Sequence, residues 1–128
     1  MRLEFRLGSA IVAEQEGRID YVELPGRDVE RAKSFYERAF GWTFTDYGPD
    51  YTSFNDGRLS GGFTTDPAIP SALVVIYAAD LERALQRVEE AGGMITRPIF
   101  PFPGGRRFHF TDTVGNELAV WSDQEPAS

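Results

Sequence analysis

The sequence predicts an α+β fold made of two tandem βαβββ modules, and three observations carry that prediction. The first is a repeat. Residues 28–42 (DVERAKSFYERAFGW) return more loosely 52 residues later as residues 80–94 (DLERALQRVEEAGGM), and 7 of the 15 positions are identical without a gap. The second is that both copies have the pattern of a capped amphipathic helix. Each opens on an aspartate at the N-cap position, Asp28 or Asp80, and each carries an apolar stripe at helical spacing. The stripes are Val29, Ala32, Phe35, Tyr36, Ala39 and Phe40, then Leu81, Ala84, Leu85, Val88 and Ala91. Each ends at glycine, which closes a helix at little conformational cost. The third is that each helix follows one β-rich run and precedes further ones. Two unrelated helices of ordinary composition would not share so many positions.

Taken in order, residues 1–17 stand outside the repeat. Leu3, Phe5 and Leu7 alternate with Arg2, Glu4 and Arg6, the period of a half-buried strand, so this extension is expected to add an edge strand, the alternative being an extension that packs weakly. Residues 19–24 are the first repeat strand, ended by Pro25 and Gly26. After the first helix come strands at 42–46, 51–55 and 58–63, the last two joined by an Asp56-Gly57 turn of the kind that needs positive φ. The modules occupy 18–66 and 73–122, with a Pro-containing linker at 67–72 and a polar tail at 123–128. In the second module 73–78 is the first strand, followed by the helix and a short strand at 94–97. Residues 98–105 (PIFPFPGG) are expected to be irregular, because three prolines remove backbone donors. A final hairpin pairs 106–111 with 117–121.

Composition sets limits on function. A chain of 128 residues suits one domain with a real core, and 41% hydrophobic content marks it as globular. A net charge of −7 argues against a nucleic-acid partner, which needs a basic face. No apolar run is long enough to span a membrane and no export signal opens the chain, so the cytoplasm is the expected location. There is no cysteine and a single histidine, His109, so one subunit cannot assemble a metal site from His and Cys ligands. No cofactor is expected.

Several runs resemble the glyoxalase/bleomycin-resistance/extradiol-dioxygenase superfamily, the vicinal oxygen chelate proteins. They are Glu23-Leu24-Pro25, the run from Asp28 to Trp42, Ala91-Gly92-Gly93, and the hairpin Asp112…Gly115-Asn116-Glu117-Leu118. The resemblance covers about residues 18–122. Thr113 and Val114 depart from the usual Asp-Pro-Asp-Gly-Asn turn. The resemblance implies that the modules form a curved mixed or antiparallel sheet around a cavity, and that the protein is a homodimer. It also implies metal ligands, typically His and Glu, at four positions. In this chain those positions hold Tyr21, Leu73, Ala119 and a residue near Gly62. Three of them cannot coordinate and tyrosine alone cannot hold a divalent ion, so the family metal site is expected to be absent.

Without an ion, strand alternation assigns the candidate ligand-binding residues: Tyr21 with Glu23, Leu73 with Val75, and Trp121 in register with Ala119, with Phe54 and Phe63 as neighbours. Glu23 is a candidate catalytic base if buried, or else only structures the sheet. Tyr21 is either a hydrogen-bond donor to a ligand or a filler of the space a metal would take. His109 is a candidate acid or ligand contact, although the strand leaves open whether Phe108 and Phe110 or Arg107, His109 and Thr111 point inward. Arg106 and Arg107 either bind an anion or pair with acidic neighbours. Phe100 and Phe102 suit a lid or a subunit contact.

These readings order the functions. The first expectation is binding of a small aromatic or amphipathic molecule in a metal-free cavity. The alternative is a metal-independent lyase or isomerase using Glu23 as base. Metal-dependent glyoxalase or dioxygenase chemistry comes last.

Overall fold

Both helices begin as the sequence predicts. The side chain of Asp28 accepts from the backbone N–H of Arg31 at 3.1 Å, and that of Asp80 from Arg83 at 3.0 Å. Each carboxylate thereby satisfies an amide that has no partner inside its helix. Their ends differ. Helix α1 (Val29–Phe40) closes on Gly41 at φ 73°, whereas α2 (Leu81–Glu90) is capped by Ala91 in helical conformation, with Gly92 at φ 102° following. The left-handed glycine of the second copy, Gly92, therefore falls one residue before Gly93, the position that the repeat aligns with Gly41.

The computed structural model describes residues 15–126, so the strand expected around Leu3, Phe5 and Leu7 lies outside the described residues. The strands are β1 (Ile19–Pro25), β2 (Thr43–Asp46), β3 (Tyr51–Asn55), β4 (Ser60–Thr64), β5 (Leu73–Tyr77), β6 (Met94–Phe102), β7 (Gly105–Thr111) and β8 (Glu117–Ser122). The fold is α+β, and the βαβββ sequence of elements occurs twice. The chain forms two compact units, one from Tyr21–Leu73 and one from residues 15–20 together with 74–126.

In the first unit the strand order is β2-β3-β4-β1, with β4 parallel to β1 and the other pairs antiparallel. Register aligns Leu24 with Phe63, Phe63 with Thr52, and Phe54 with Phe44. These side chains share the face against α1, where Val29, Phe54 and Phe63 are buried with Leu24, Ala32, Tyr36, Trp42 and Phe44 around them. Trp42 stacks on Phe54 at 4.6 Å and on Tyr36 at 4.6 Å. Not all of the α1 stripe reaches this core: Phe35 and Phe40 are 57% and 66% exposed.

In the second unit the order is β5-β8-β7-β6, again with the first strand parallel to the last. This is the same topology, as the repeat requires. One face packs on α2 through Ala78, Leu81, Phe108, Phe110 and Val120. Residues 15–20 join this unit. The Gly17 N–H donates to the Tyr77 carbonyl and the Tyr77 N–H to that of Arg18, at 2.8 and 3.0 Å.

One expectation is overturned. Residues 98–105 are not irregular: β6 runs through Pro98 and Pro101, and only Pro103 and Gly104 form the turn into β7. Two physical features permit this. β6 ends the strand order of its unit, so missing donors can face away from the ladder. Its pairing also shifts register twice, between Ile95 and Arg97 and between Arg97 and Phe100, so each bulge absorbs one extra residue. The altered hairpin turn at 112–116 is also explained. Asp112 Oδ1 accepts from the N–H groups of Val114 and Asn116, both at 2.9 Å, so one carboxylate organises the turn without the proline.

Candidate functional site

The face of each sheet turned away from its helix carries the candidate residues. In the first unit this face holds Tyr21 and Glu23 of β1, Gly62 of β4 and Tyr51 of β3. Tyr21 and Glu23 are both buried, Glu23 to 6% exposure. The Tyr21 and Tyr51 hydroxyls are hydrogen-bonded to each other. Gly62 makes room for them: a Cβ there would meet the Tyr51 hydroxyl and lie 2.7 Å from that of Tyr21. Phe54 and Phe63, expected beside Tyr21 and Glu23, are instead on the opposite face in the α1 core. The reason is strand parity, since Phe63 pairs with Leu24 and Phe54 with Gly61, neither of which shares the Tyr21 side.

This packing gives a first prediction. Gly62→Ala forces the tyrosine hydroxyls apart and lowers stability by about 1–3 kcal/mol, the usual cost of overpacking. Urea unfolding checks it, and combining it with Tyr51→Ala recovers much of the loss. A Gly62→Ala chain as stable as the parent contradicts the arrangement.

In the second unit the corresponding face holds Val75, Tyr77, Ala119, Trp121, Arg107 and His109, aligned by the ladders of β5, β8 and β7. The open parity of 106–111 is thus settled: Phe108 and Phe110 pack on α2, and Arg107, His109 and Thr111 face the other way. The two arginines separate accordingly. Arg106 pairs with Glu82 of α2, which holds the Glu82 carboxyl below its ordinary range, while Arg107 lies on the His109 face. Leu73 and Val75 are buried on one side of β5. Trp121 is buried too, and its Nε1–H donates to Asp20 at 2.9 Å; Asp20 also accepts from Gln15 at 2.8 Å.

The bulge in β6 completes this face. One extra residue between Arg97 and Phe100 turns both toward the side of His109 and Arg107, while Ile99 packs against the α2 core. The Arg97 guanidinium sits 3.9 Å from the Phe100 ring centre, and Arg107 lies 5.5 Å from Phe100 and 5.8 Å from Phe102. Phe100 is 5.7 Å from the His109 ring, and Phe102 is 6.1 Å from Trp121. Phe100 and Phe102 are therefore half-buried strand residues and not parts of an exposed loop. Sequence reasoning did not single out Arg97. Counting by twos along β6 would have placed it with Ile95 on the α2 side, and only the bulges reverse that.

His109 is 3% exposed, and among the described residues its Nε2 has no hydrogen-bond partner. Arg97 Nη1 is likewise buried without one. Burial, with the nearby charges of Arg107 and Arg97, pushes His109 down to about 4, and Glu117 only partly opposes this. The Glu117 carboxylate stands 3.7 Å from Nδ1, beyond good hydrogen-bond reach. The imidazole is neutral at physiological pH.

The family's metal positions can now be tested against these residues. Leu73 and Ala119 offer no donor, Gly62 has no side chain, and the Tyr21 hydroxyl is engaged with that of Tyr51. Among the described residues no group of three His, Cys, Asp or Glu side chains is placed to hold a metal ion. The residues present do not fit the ion.

The profile of the Glyoxalase/Bleomycin resistance protein/Dioxygenase superfamily matches residues 18–120. The chain belongs to this superfamily. CFP32 of Mycobacterium tuberculosis, provisionally named a glyoxylase, is 25% identical over 120 residues, covering 84% of this chain and 46% of that protein. The chain thus spans about half the length of the curated relatives it matches. Among solved structures, a superfamily member from Vibrio splendidus is 16% identical, with a TM-score of 0.63 over 83% of this chain and 98% of the other. The Mn(II)-bound glyoxalase of Novosphingobium aromaticivorans is 18% identical, with a TM-score of 0.62 over 89% of this chain and 42% of the other. At these identities the likeness establishes the shared fold. The superfamily scaffold is therefore present here with different side chains at the metal positions.

Proposed function

We propose that this superfamily member binds a small aromatic or amphipathic molecule without a metal ion, on the sheet face of the second unit. Phe100 and Phe102 supply flat apolar surface, and Arg97, Arg107 and His109 supply a few fixed polar groups. That mixture characterises small-molecule sites. The observation that carries the reading is the His109 Nε2, buried and without a partner among the described residues. An unsatisfied buried polar atom costs stability, so a ligand that engages it recovers energy the bare fold forgoes.

Thermal unfolding in the presence of a chelator, screened against aromatic compounds, tests this. A ligand at about a hundred times its dissociation constant stabilises the fold by about 2.7 kcal/mol. The expected result is an upward shift that is unchanged by chelator and lost in Phe100→Ala. A shift that requires added divalent metal would overturn the proposal.

A second reading, a metal-independent lyase or isomerase, draws on the burial of Glu23 beside Gly62 and on the same face as Tyr21. A buried carboxylate of this kind suits general-base work. It predicts that Glu23→Gln abolishes turnover while leaving binding intact. The Mn(II)-bound glyoxalase of Novosphingobium aromaticivorans shares the fold, but the donor set of this chain does not support a metal-dependent reading.

A further inference from the structure

We propose that the ligand class selected by this face is an aromatic carboxylate, its anionic group held by Arg97 and His109 and its ring laid against Phe100. The inference rests on the binding reading above and narrows it to a charge and a shape.

Three observations converge. First, the polar groups on this face are unequal in sign. Around His109 the cations Arg97 and Arg107 outweigh the carboxylate of Glu117, which is 47% exposed, while the carboxylates of Asp20 and Asp123 are already bonded to Trp121 and Tyr77. In a chain of net charge −7 this local excess of positive charge favours an anion. Second, Arg97 Nη1 and His109 Nε2 are both buried and make no hydrogen bond among the described residues. A neutral imidazole donates one hydrogen bond, and an incoming anion favours the tautomer with its proton on Nε2. A carboxylate can accept from the guanidinium and the imidazole together, in the charge-assisted geometry that arginine favours. Third, the same guanidinium is stacked 3.9 Å from Phe100, whose ring is 5.7 Å from His109. The donors are therefore bordered by a flat apolar surface, which suits a planar ring joined directly to the acid group. Stacking on the aromatic also fixes the guanidinium plane before the ligand arrives, so little side-chain freedom remains to be lost.

His109 is the only histidine in the sequence, so its imidazole gives one unambiguous signal in a labelled NMR sample. Benzoate, benzamide and acetate are the probes, added to the chelator-treated chain. Benzoate is expected to saturate and to raise the His109 titration midpoint by about one to three pH units, as an opposite charge at contact distance does. Benzamide, with the same ring and no charge, is expected to bind on the order of ten- to a hundred-fold more weakly and to leave the midpoint in place. Acetate, lacking the ring, is also expected to bind more weakly than benzoate. Arg97→Gln removes the preference for benzoate over benzamide, and Arg97→Lys retains part of it, which separates lost recognition from lost folding. Benzamide binding as tightly as benzoate overturns the anion assignment while leaving the binding function standing. Acetate equalling benzoate overturns the aromatic part. Failure of both ring compounds to saturate, with the protein folded, removes the binding reading and this inference with it.

Discussion

Replacing Phe108 with alanine lowers stability by about 3–5 kcal/mol, the range for deleting a buried aromatic ring. Domains of this size have about 5–15 kcal/mol in total, so the variant is expected to be partly unfolded well below the parent's transition. Phe108 has no exposed surface and lies in the α2 core with Leu81, Phe110 and Val120. It occupies the middle of β7, which is hydrogen-bonded to β6 on one side and β8 on the other. The strands cannot close over the lost volume without breaking a ladder, so the cavity persists and the upper part of the range applies. Phe35→Ala is the contrast, because its ring is mostly solvent-exposed and its loss is expected to change stability by only about 0.5 kcal/mol or less. Urea unfolding of the two variants compares them directly. Equal losses would mean that the side of β7 facing the helix is misassigned.

The second large effect depends on pH. The folded chain holds His109 down to about 4, below its ordinary value of 6.5. As pH falls through 6.5 the unfolded chain takes up a proton that the folded chain does not yet accept, so protonation favours unfolding. The stability present above 6.5 is therefore lost progressively as pH falls toward 4. Over that window the loss is about 3 kcal/mol. Carboxylates titrate nearby, so the quantity to measure is the difference between the parent and His109→Gln. Unfolding free energies at pH 7 and pH 4 are expected to fall further in the parent by about that amount. Parallel curves would show that the imidazole is not held neutral by its surroundings.

Much of the fold was legible because the informative signals were local and repeated. Asp28 and Asp80 are N-caps by chemistry alone, and Leu81, Ala84, Leu85 and Val88 meet the α2 core as their spacing predicts. What was not legible depended on which side of a strand meets the helix. In β3, Tyr51, Ser53 and Asn55 alternate with Thr52 and Phe54, and the hydrophobic Phe54 belongs with Val22 and Leu24 on the α1 side. That pattern was available in the sequence and could have removed Phe54 and Phe63 from the candidate site. Arg97 is different. Its direction is set by bulges next to Pro98, and a single sequence shows the proline without showing where the ladder shifts. The tyrosine pair at Gly62 was half visible, since Tyr21 was singled out as a possible filler and Tyr51 was not. Contact between residues on strands 30 positions apart emerges only once register is known.

The side chains at the metal positions are the point on which the functional account turns. Calorimetric titration of chelator-treated protein with Mn(II), Ni(II) and Zn(II) tests it most directly. The account predicts heats of dilution only, with no saturable uptake, because Leu73, Ala119 and Gly62 supply no donor and Tyr21 is committed to Tyr51. Uptake of one ion per chain at micromolar concentration, abolished by Tyr21→Phe, would contradict it.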